Sequence, residues 1–506
     1  MRKTSADSRR WLVLLAVMLA FLPVVLDMTI LHVAVPTLTQ SLRASSTEVL
    51  WIIDIYPLVM AGLLVPMGTL ADKVGHRRLL LTGLVVFGAA SGLAAFAPDA
   101  RMLIGARLVL ALGGAMIMPC VLGIIRRAFE DDAERAMALG LWGTVGAAGA
   151  AIGPLIGGAL LEHFWWGSVF LINVPVMLVV APASALLLPR AEPAGTGRWA
   201  FGQALLLILG MITTVYAIKA GFGAKQPLPV VALVLLFGLA MLGFFARLQL
   251  RSRQPMLDLS LFARPAILAG MIMALVATGA LAGVELTLAQ ELQYVLGKTP
   301  IEAGLFMIPI MAAAACGGPV AGRLSGLFGL RLVAGLSLLV SALALAALAF
   351  TDFGRPGVLV PGLLALLGLM LSIGLTASSI AIMGAVEAER AGAAGSLEAT
   401  GYELGTGLGI TLFGVFMSAV FSHTIVLPPD LAPALAETAA RSIGDTYLVA
   451  RQLPPAEAQS LIDAGRQAFT ATHSVLLTTA AALIGALSLL VLAMLKSYRP
   501  VSGGHG

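Results

Sequence analysis

The chain has 506 residues, of which 59% are apolar and only 11% charged, with a mean hydropathy of +0.98. A water-soluble protein carries about 25% charged residues, so there is too little polar surface here to cover a soluble globule. The net charge is +5, and its distribution along the chain gives no reason to invoke a nucleic-acid partner.

The apolar residues fall in long blocks separated by short charged stretches, and about 20 apolar helical residues cross a bilayer core of about 30 Å. Arg2, Lys3, Arg9 and Arg10 precede the first block. That block, Trp11 to about Val35, is too long for a signal-peptide core and lacks a clear small-x-small cleavage site, so it reads as a retained span. Spans are expected near 11–37, 48–70, 79–97, 101–124, 137–160 and 165–188. A linker with two prolines and two glycines, Pro189 to Arg198, separates these from spans near 200–219 and 228–247. After a polar stretch at 248–264 come spans near 265–289, 301–322, 330–350, 357–384, 392–421 and 472–495. The fold class is therefore an all-α membrane protein of 14 transmembrane helices.

An even number of spans puts both termini on one side. With the termini cytoplasmic, 21 basic residues fall inside and nine outside, Lys219 at the end of span seven among the nine and Arg107 lying within a span; this is the asymmetry of the positive-inside rule. The longest loop, about 422–471, then lies outside. It carries five acids and three bases, with helix-like stretches near 431–450 and 455–469 broken at Pro454-Pro455. It reads either as an amphipathic hairpin on the membrane surface or as a solvated loop.

Cys120 and Cys316 each sit in an apolar block and cannot build a disulfide framework. The six histidines show no metal-ligand spacing. No metal or cofactor is expected. Without a His/Cys cluster, a nucleophile motif or a selectivity-loop sequence, a membrane enzyme or a channel is a remote reading.

Between the second and third spans stands Gly68-Thr-Leu-Ala-Asp72-Lys-Val-Gly75-His-Arg77-Arg78. Its glycines permit a tight turn and close helix approach, and Asp72 can pair with a base where a helix leaves the membrane. The fifth span carries Gly149, Gly153 and Gly157 at four-residue intervals, with Pro154 and Gly158, a smooth stripe for helix packing with a bend at the proline. The fourth span holds Arg107 followed by Gly113-Gly114-Ala115, and a buried arginine needs a partner or water.

The Gly68–Arg78 string closely resembles the cytoplasmic loop signature of the major facilitator superfamily. The Gly149–Gly158 string resembles the antiporter signature of its drug/proton exchangers, and the Arg107 segment a weaker match in which Leu110 and Ala111 replace the usual polar positions. Leu26-Asp27-Met-Thr29-Ile-Leu-His32-Val-Ala34-Val-Pro36, Trp165–Pro175 and Pro255–Phe262 resemble strings of the fourteen-helix drug exporters, above all those of methyl viologen and quaternary ammonium compounds. The resemblance implies two six-helix bundles, 1–188 and 265–506, around an inserted region at 189–264 that holds the linker and spans seven and eight. It also implies a monomer in a bacterial cytoplasmic (inner) membrane. A second-half counterpart of the loop string, Gly318–Arg331, lacks the acid, with Arg323 and Leu324 expected at its place.

An acid inside a bilayer costs about 2.5–3.5 kcal/mol or more, so the intramembrane acids are the candidate site. They are Asp27, Asp54, Glu285, Glu291, Glu398 and Glu403. Glu291 falls near the outer interface and reads as unremarkable. Glu403 lies about 15 Å along its span, near the midplane, and about 140° around the helix from Glu398. The resemblance implies substrate and proton carboxylates in spans one, two and thirteen, which matches Asp27, Asp54 and Glu403, with Arg107, Glu398 and Glu285 as further candidates. Asp27, Asp54 and Glu403 are expected to face one another across a cavity, where protons and lipophilic cations compete for them. Export of a non-cationic metabolite or antibiotic, or import of a nutrient, by the same fold is the alternative.

Overall fold

The structure, a computed structural model, describes residues 2–129, 131–189, 201–222, 226–252, 255–386 and 391–497. Past Pro189, the expected linker lies outside the described residues. Among the described residues there is no strand, and 14 helices are long and apolar enough to cross a membrane. Spans one to six are Arg10–Leu42, Ser46–Val74, His76–Ala95, Ala100–Ala128, Met137–His163 and Ser168–Leu187. Spans seven and eight are Phe201–Gly221 and Leu228–Arg251. Spans nine to fourteen are Pro265–Val295, Pro300–Phe328, Leu330–Leu348, Leu359–Met383, Ala394–Thr424 and Pro455–Met494. Each expected span has its counterpart.

Local chemistry sets several of the starts. Ser45 and Thr299 close capping boxes with Glu48 and Glu302, and Asp99 caps span four through the Met102 N–H, each supplying acceptors to otherwise orphaned helix donors.

The two sets of six pair alike. Span three packs on four, two on four, one on five and three on six; eleven on twelve, ten on twelve, nine on thirteen and eleven on fourteen repeat the pattern. The loops between the second and third members match as well. Gly75 and Gly329 both take positive φ, 96° and 80°, between consecutive helices, a conformation that costs a residue with a Cβ. Two residues later, Arg77 donates to the Ala185 carbonyl at 2.7 Å, and Arg331 to the Leu492 carbonyl at 2.8 Å. Each arginine thus ties its turn to the end of the last helix of its set. Counted back from these glycines, Asp72 corresponds to Gly326, and Arg323 stands one position after the counterpart of Gly68. The acid is missing as expected, but at a different place.

The sets meet where span two packs on thirteen and span five on ten. The second contact is backbone against backbone: a Cβ on Gly158 would meet the Ile301 Cα at 2.6 Å, and one on Gly304 the Pro154 carbonyl at 2.6 Å. Gly407 and Gly414 of span thirteen similarly receive Leu58 and Leu50 of span two. Gln293 donates to the Val33 carbonyl at 2.9 Å. These contacts lie toward the bundle end that carries the 425–454 segment, called the hairpin end below. The opposite end carries Gly75, Gly329 and many of the basic residues, and is called the basic end.

Span seven packs on span eight, on two and on thirteen. Span eight presents Leu233, Leu236, Phe237 and Phe244 outward, each more than half exposed, as lipid contact requires.

The 422–471 segment departs from both expectations. Its second half is continuous with the last span, a helix of 40 residues from Pro455 to Met494. The prolines at 454 and 455 stand at the start of that helix, where proline fits. Its first half forms short helices Pro433–Ala439 and Ile443–Ala450. The latter buries Ile443, Gly444, Asp445, Thr446 and Val449 and packs on spans one and fourteen. It is a cap docked on the bundle.

Replacing Gly158 by leucine should force spans five and ten apart at the hairpin end. Spin labels on the two spans should show a longer hairpin-end distance, while leucine at Gly92, which has no neighbour within 4 Å of its Cβ position, should leave it unchanged.

Candidate functional site

All six intramembrane acids are buried, from fully buried Asp54 to Glu398 at 7% exposure. In the bilayer each needs a counter-charge, a hydrogen-bond donor or a proton. Five find a partner among the described residues.

Asp27 lies on span one, held there by the glycine stripe of span five. Positions 149, 153 and 157 sit against Leu22, Thr29 and Ile30; a Cβ on Gly153 would overlap the Thr29 hydroxyl, and one on Gly157 would meet Ile30 at 2.9 Å. The stripe therefore fixes the helix that carries Asp27. Arg107 Nη1 reaches Asp27 Oδ2 at 2.8 Å, and both side chains are 1% exposed. The guanidinium also lies over the Tyr56 ring at 5.0 Å and near the Phe170 ring at 5.9 Å, an arrangement suited to a desolvated arginine.

Asp54 on span two meets a residue counted in the sequence as facing the outer solution. Lys219, at the end of span seven, is 4% exposed and places Nζ 2.5 Å from Asp54 Oδ2. The ammonium sits over the Trp51 ring at 3.9 Å. Thr411 of span thirteen donates to the same oxygen at 2.6 Å. Asp54 thus joins spans two, seven and thirteen.

Glu285 on span nine accepts from or donates to His32 Nδ1 at 2.9 Å, according to the imidazole tautomer, a buried link between the two sets. Glu291, at the hairpin-end terminus of span nine, is buried as well: Thr470 donates to it at 3.0 Å and His473 lies 3.6 Å away, so it is engaged within the protein. Glu398 accepts from the Tyr402 hydroxyl one turn along span thirteen.

Glu403 differs. It is 5% exposed, it has no ion pair among the described residues, and its Oε2 has no hydrogen-bond partner. Tyr56, whose hydroxyl is also without a partner, lies within electrostatic reach of Asp27, Arg107 and Glu403. The three expected carboxylates therefore do not form one open constellation. Asp27, paired with Arg107, and Glu403 each lie within electrostatic reach of Tyr56, while Asp54 is occupied by Lys219 nearer the hairpin end.

The loop string sits at the basic end. Asp72 is 73% exposed, 3.7 Å from His76 and 3.9 Å from Arg127 of span four, a loose contact; Arg78 is exposed. Gly68 approaches Pro119 of span four. No group of His, Cys, Asp and Glu among the described residues could hold a metal, and Cys120 and Cys316 form no disulfide.

Lys219, Tyr56, His32 and Thr411 were not singled out from the sequence. Lys219 carried little signal, since a lysine at the end of an apolar span can snorkel to the interface without a buried partner. The pairing itself, across 165 positions, had none.

The sequence profile of the Major Facilitator Superfamily matches residues 17–289. The chain is 47% identical over 476 residues to the methyl viologen resistance protein SmvA of Salmonella typhimurium, covering 94% of this chain and 96% of that one. It is 36% identical over 499 residues to the multidrug efflux pump LfrA of Mycolicibacterium smegmatis, covering 95% and 96%. Among solved structures it is similar to a bacterial homolog of the human lysosomal transporter Spinster, inward-facing and unoccupied. The TM-score is 0.66 at 21% identity over 96% of this chain and 98% of that one, a likeness of fold.

Removing one member of a buried ion pair leaves a stranded charge and costs about 3–5 kcal/mol, whereas removing both is often neutral. Arg107→Met should therefore lower the thermal unfolding midpoint in detergent well below that of wild type, and Asp27→Asn combined with Arg107→Met should recover most of the loss.

Proposed function

The chain belongs to the major facilitator superfamily, and from that premise we propose that it exports lipophilic organic cations in exchange for protons. It is a multi-pass membrane transporter and no enzyme, and its relatives, which include a methyl viologen resistance protein and a multidrug efflux pump, support drug efflux. The exchange reading, the cationic substrates and the residue roles are our inference, as are a monomeric state and a bacterial inner membrane with both termini and the basic end cytoplasmic.

The observation that carries the reading is Glu403, a buried carboxylate with a free oxygen and no counter-charge among the described residues. A carboxylate so placed is stable with a proton on it or a cation beside it, and unstable with neither. Those two occupants are the two fluxes of the exchanger. With the hairpin end closed by the span five–ten and two–thirteen contacts, a cation reaches Glu403 from the basic end, and the proton leaves toward that side. When the halves rock, the hairpin end opens, a proton replaces the cation, and the neutral acid returns. Each half-cycle crosses the bilayer without an isolated charge.

Tyr56 supplies an aromatic face beside this position, and cation–π attraction to a soft organic cation is worth about 0.5–2 kcal/mol. The Asp27–Arg107 pair tunes the same spot: Arg107 repels a cation while Asp27 holds it, so protonation of Asp27 would release the guanidinium toward the site. Asp72 with Arg127 and His76, and the Arg77 tether, all lie within the first set and latch its basic-end corner, so that this half moves as a unit.

In proteoliposomes with an imposed pH gradient, tetraphenylphosphonium or a quaternary ammonium compound should elicit proton movement in wild type. Glu403→Gln should abolish it, Asp27→Asn should reduce it strongly, and both should keep the wild-type elution profile. No cation-dependent proton movement in wild type across a panel of such cations would refute the exchange. Dependence on an anionic solute would favour the non-cationic alternative.

A further inference from the structure

The Asp54–Lys219 pair is not a member of the Glu403 cluster, and it brings the inserted helices into the core. A buried ion pair in an apolar medium adds little stability over an apolar pair of the same size. What this one has is access. A cavity of about 70 Å³ opens from the Lys219 side of the pair toward the hairpin end, bounded by Lys219, Thr39, Ser46, Gln290, Tyr294 and Ser418 among others, with Asp54 behind Lys219. Its polar atoms come from spans one, two, seven, nine and thirteen, and a water needs only about 10–15 Å³ of such volume with a few polar partners. The space has room for a short file of waters and is too small for a drug.

Behind two of its lining residues, Ser442 and Ser46, lies Asp445 of the helix Ile443–Ala450, buried and hydrogen-bonded to Ser442, with Ser46 as a further hydrogen-bond partner. Burial pushes its carboxyl above the ordinary range, against the opposing pull of those hydroxyls and of Arg441. At the inner end, Asp54 Oδ2 is taken by Lys219 and Thr411, while Oδ1 has no hydrogen-bond partner among the described residues. The titratable groups that line this path are Tyr294 from span nine and Lys219 from span seven; Asp445 adjoins it through Ser442 and Ser46, and Asp54 through Lys219. The neighbouring acids of span nine are engaged elsewhere, Glu285 by His32 and Glu291 by Thr470 and His473.

We propose that the Asp54–Lys219 pair is where protons enter the transport cycle from the hairpin side, with Lys219 of the inserted helices as its positioning residue. This rests on the proton-exchange reading above and adds the entry point and the reason for spans seven and eight. A proton delivered along the water file forms an O–H bond at Asp54 Oδ1. The neutral acid no longer holds the ammonium, which stays over the Trp51 ring and is solvated by the cavity. The Asp54 link between span seven and spans two and thirteen is thereby loosened, and those two spans form one of the contacts that close the hairpin end. Loss of the proton restores the ion pair and the closure.

The test uses the full chain in proteoliposomes: wild type, Lys219→Met, and the double variant Asp54→Asn with Lys219→Met, which leaves no stranded charge. Two fluxes of tetraphenylphosphonium are compared, accumulation driven by a pH gradient and cation-for-cation exchange without one. We expect the double variant to lose gradient-driven flux by about tenfold or more while cation-for-cation exchange stays within about twofold of wild type. Lys219→Met should lose gradient-driven flux likewise. Gradient-driven flux at wild-type level in the double variant would overturn the inference, and so would an equal loss of both fluxes. A wild type without gradient-driven flux would overturn the exchange reading itself, and this inference with it, whereas a coupled wild type beside a coupled double variant overturns this inference alone.

Discussion

An ionised side chain inside a bilayer has no bulk water to solvate it, so every buried acid must find a cation, a donor or a proton. This chain buries six acids between its helices and finds local partners for five: Arg107 for Asp27, Lys219 and Thr411 for Asp54, His32 for Glu285, Thr470 and His473 for Glu291, Tyr402 for Glu398. Glu403 has no such partner among the described residues. In the function we propose, the requirement that holds the other five within the protein leaves Glu403 to an exchangeable cation or proton, and a site that must never be empty would couple its occupancy to the movement of the halves.

The scaffold meets that requirement with glycine. Span five lies against span one through Gly149, Gly153 and Gly157, and against span ten through Gly158, so one helix both positions Asp27 and closes the hairpin end. The matched turns at Gly75 and Gly329, each with an arginine tied to the end of its set's last helix, give the two sets the same rigid corner. The acid of that corner occurs in the first set alone, which leaves the basic-end latch one-sided. Close-packed backbones with few side chains between them slide or part as units, and this is the mechanical property a rocking carrier needs.

Much of this was legible in the sequence, and the reasons divide by range. Span number followed from apolar block length, because bilayer thickness sets a length that the chain cannot evade. The loop and span-five strings were legible because turns and helix contacts are made by residues close in sequence. Helical rise placed Glu403 near the middle of its span, but did not give the face of the helix on which it is buried. What stayed hidden was pairing across long separations: Asp27 with Arg107 over 80 positions, and His32 with Glu285 over 253. Lys219 was placed in the outer solution because it ends an apolar run, yet its long side chain turns inward to Asp54. Glu291 read as unremarkable because the docked helix Ile443–Ala450 and the long last helix, which cover that end, carry ordinary polar composition. The register of the second-half loop string was misjudged because a glycine-rich segment offers several alignments, and only the positive-φ glycine selects one.

The central claim is that the proton and the organic cation share Glu403. It is tested most directly by titrating tetraphenylphosphonium into the purified protein in weakly buffered detergent solution, with a pH indicator present and no membrane gradient. The account predicts proton release that tracks cation binding and disappears in Glu403→Gln. Binding without proton release, or release that persists in Glu403→Gln, would contradict it.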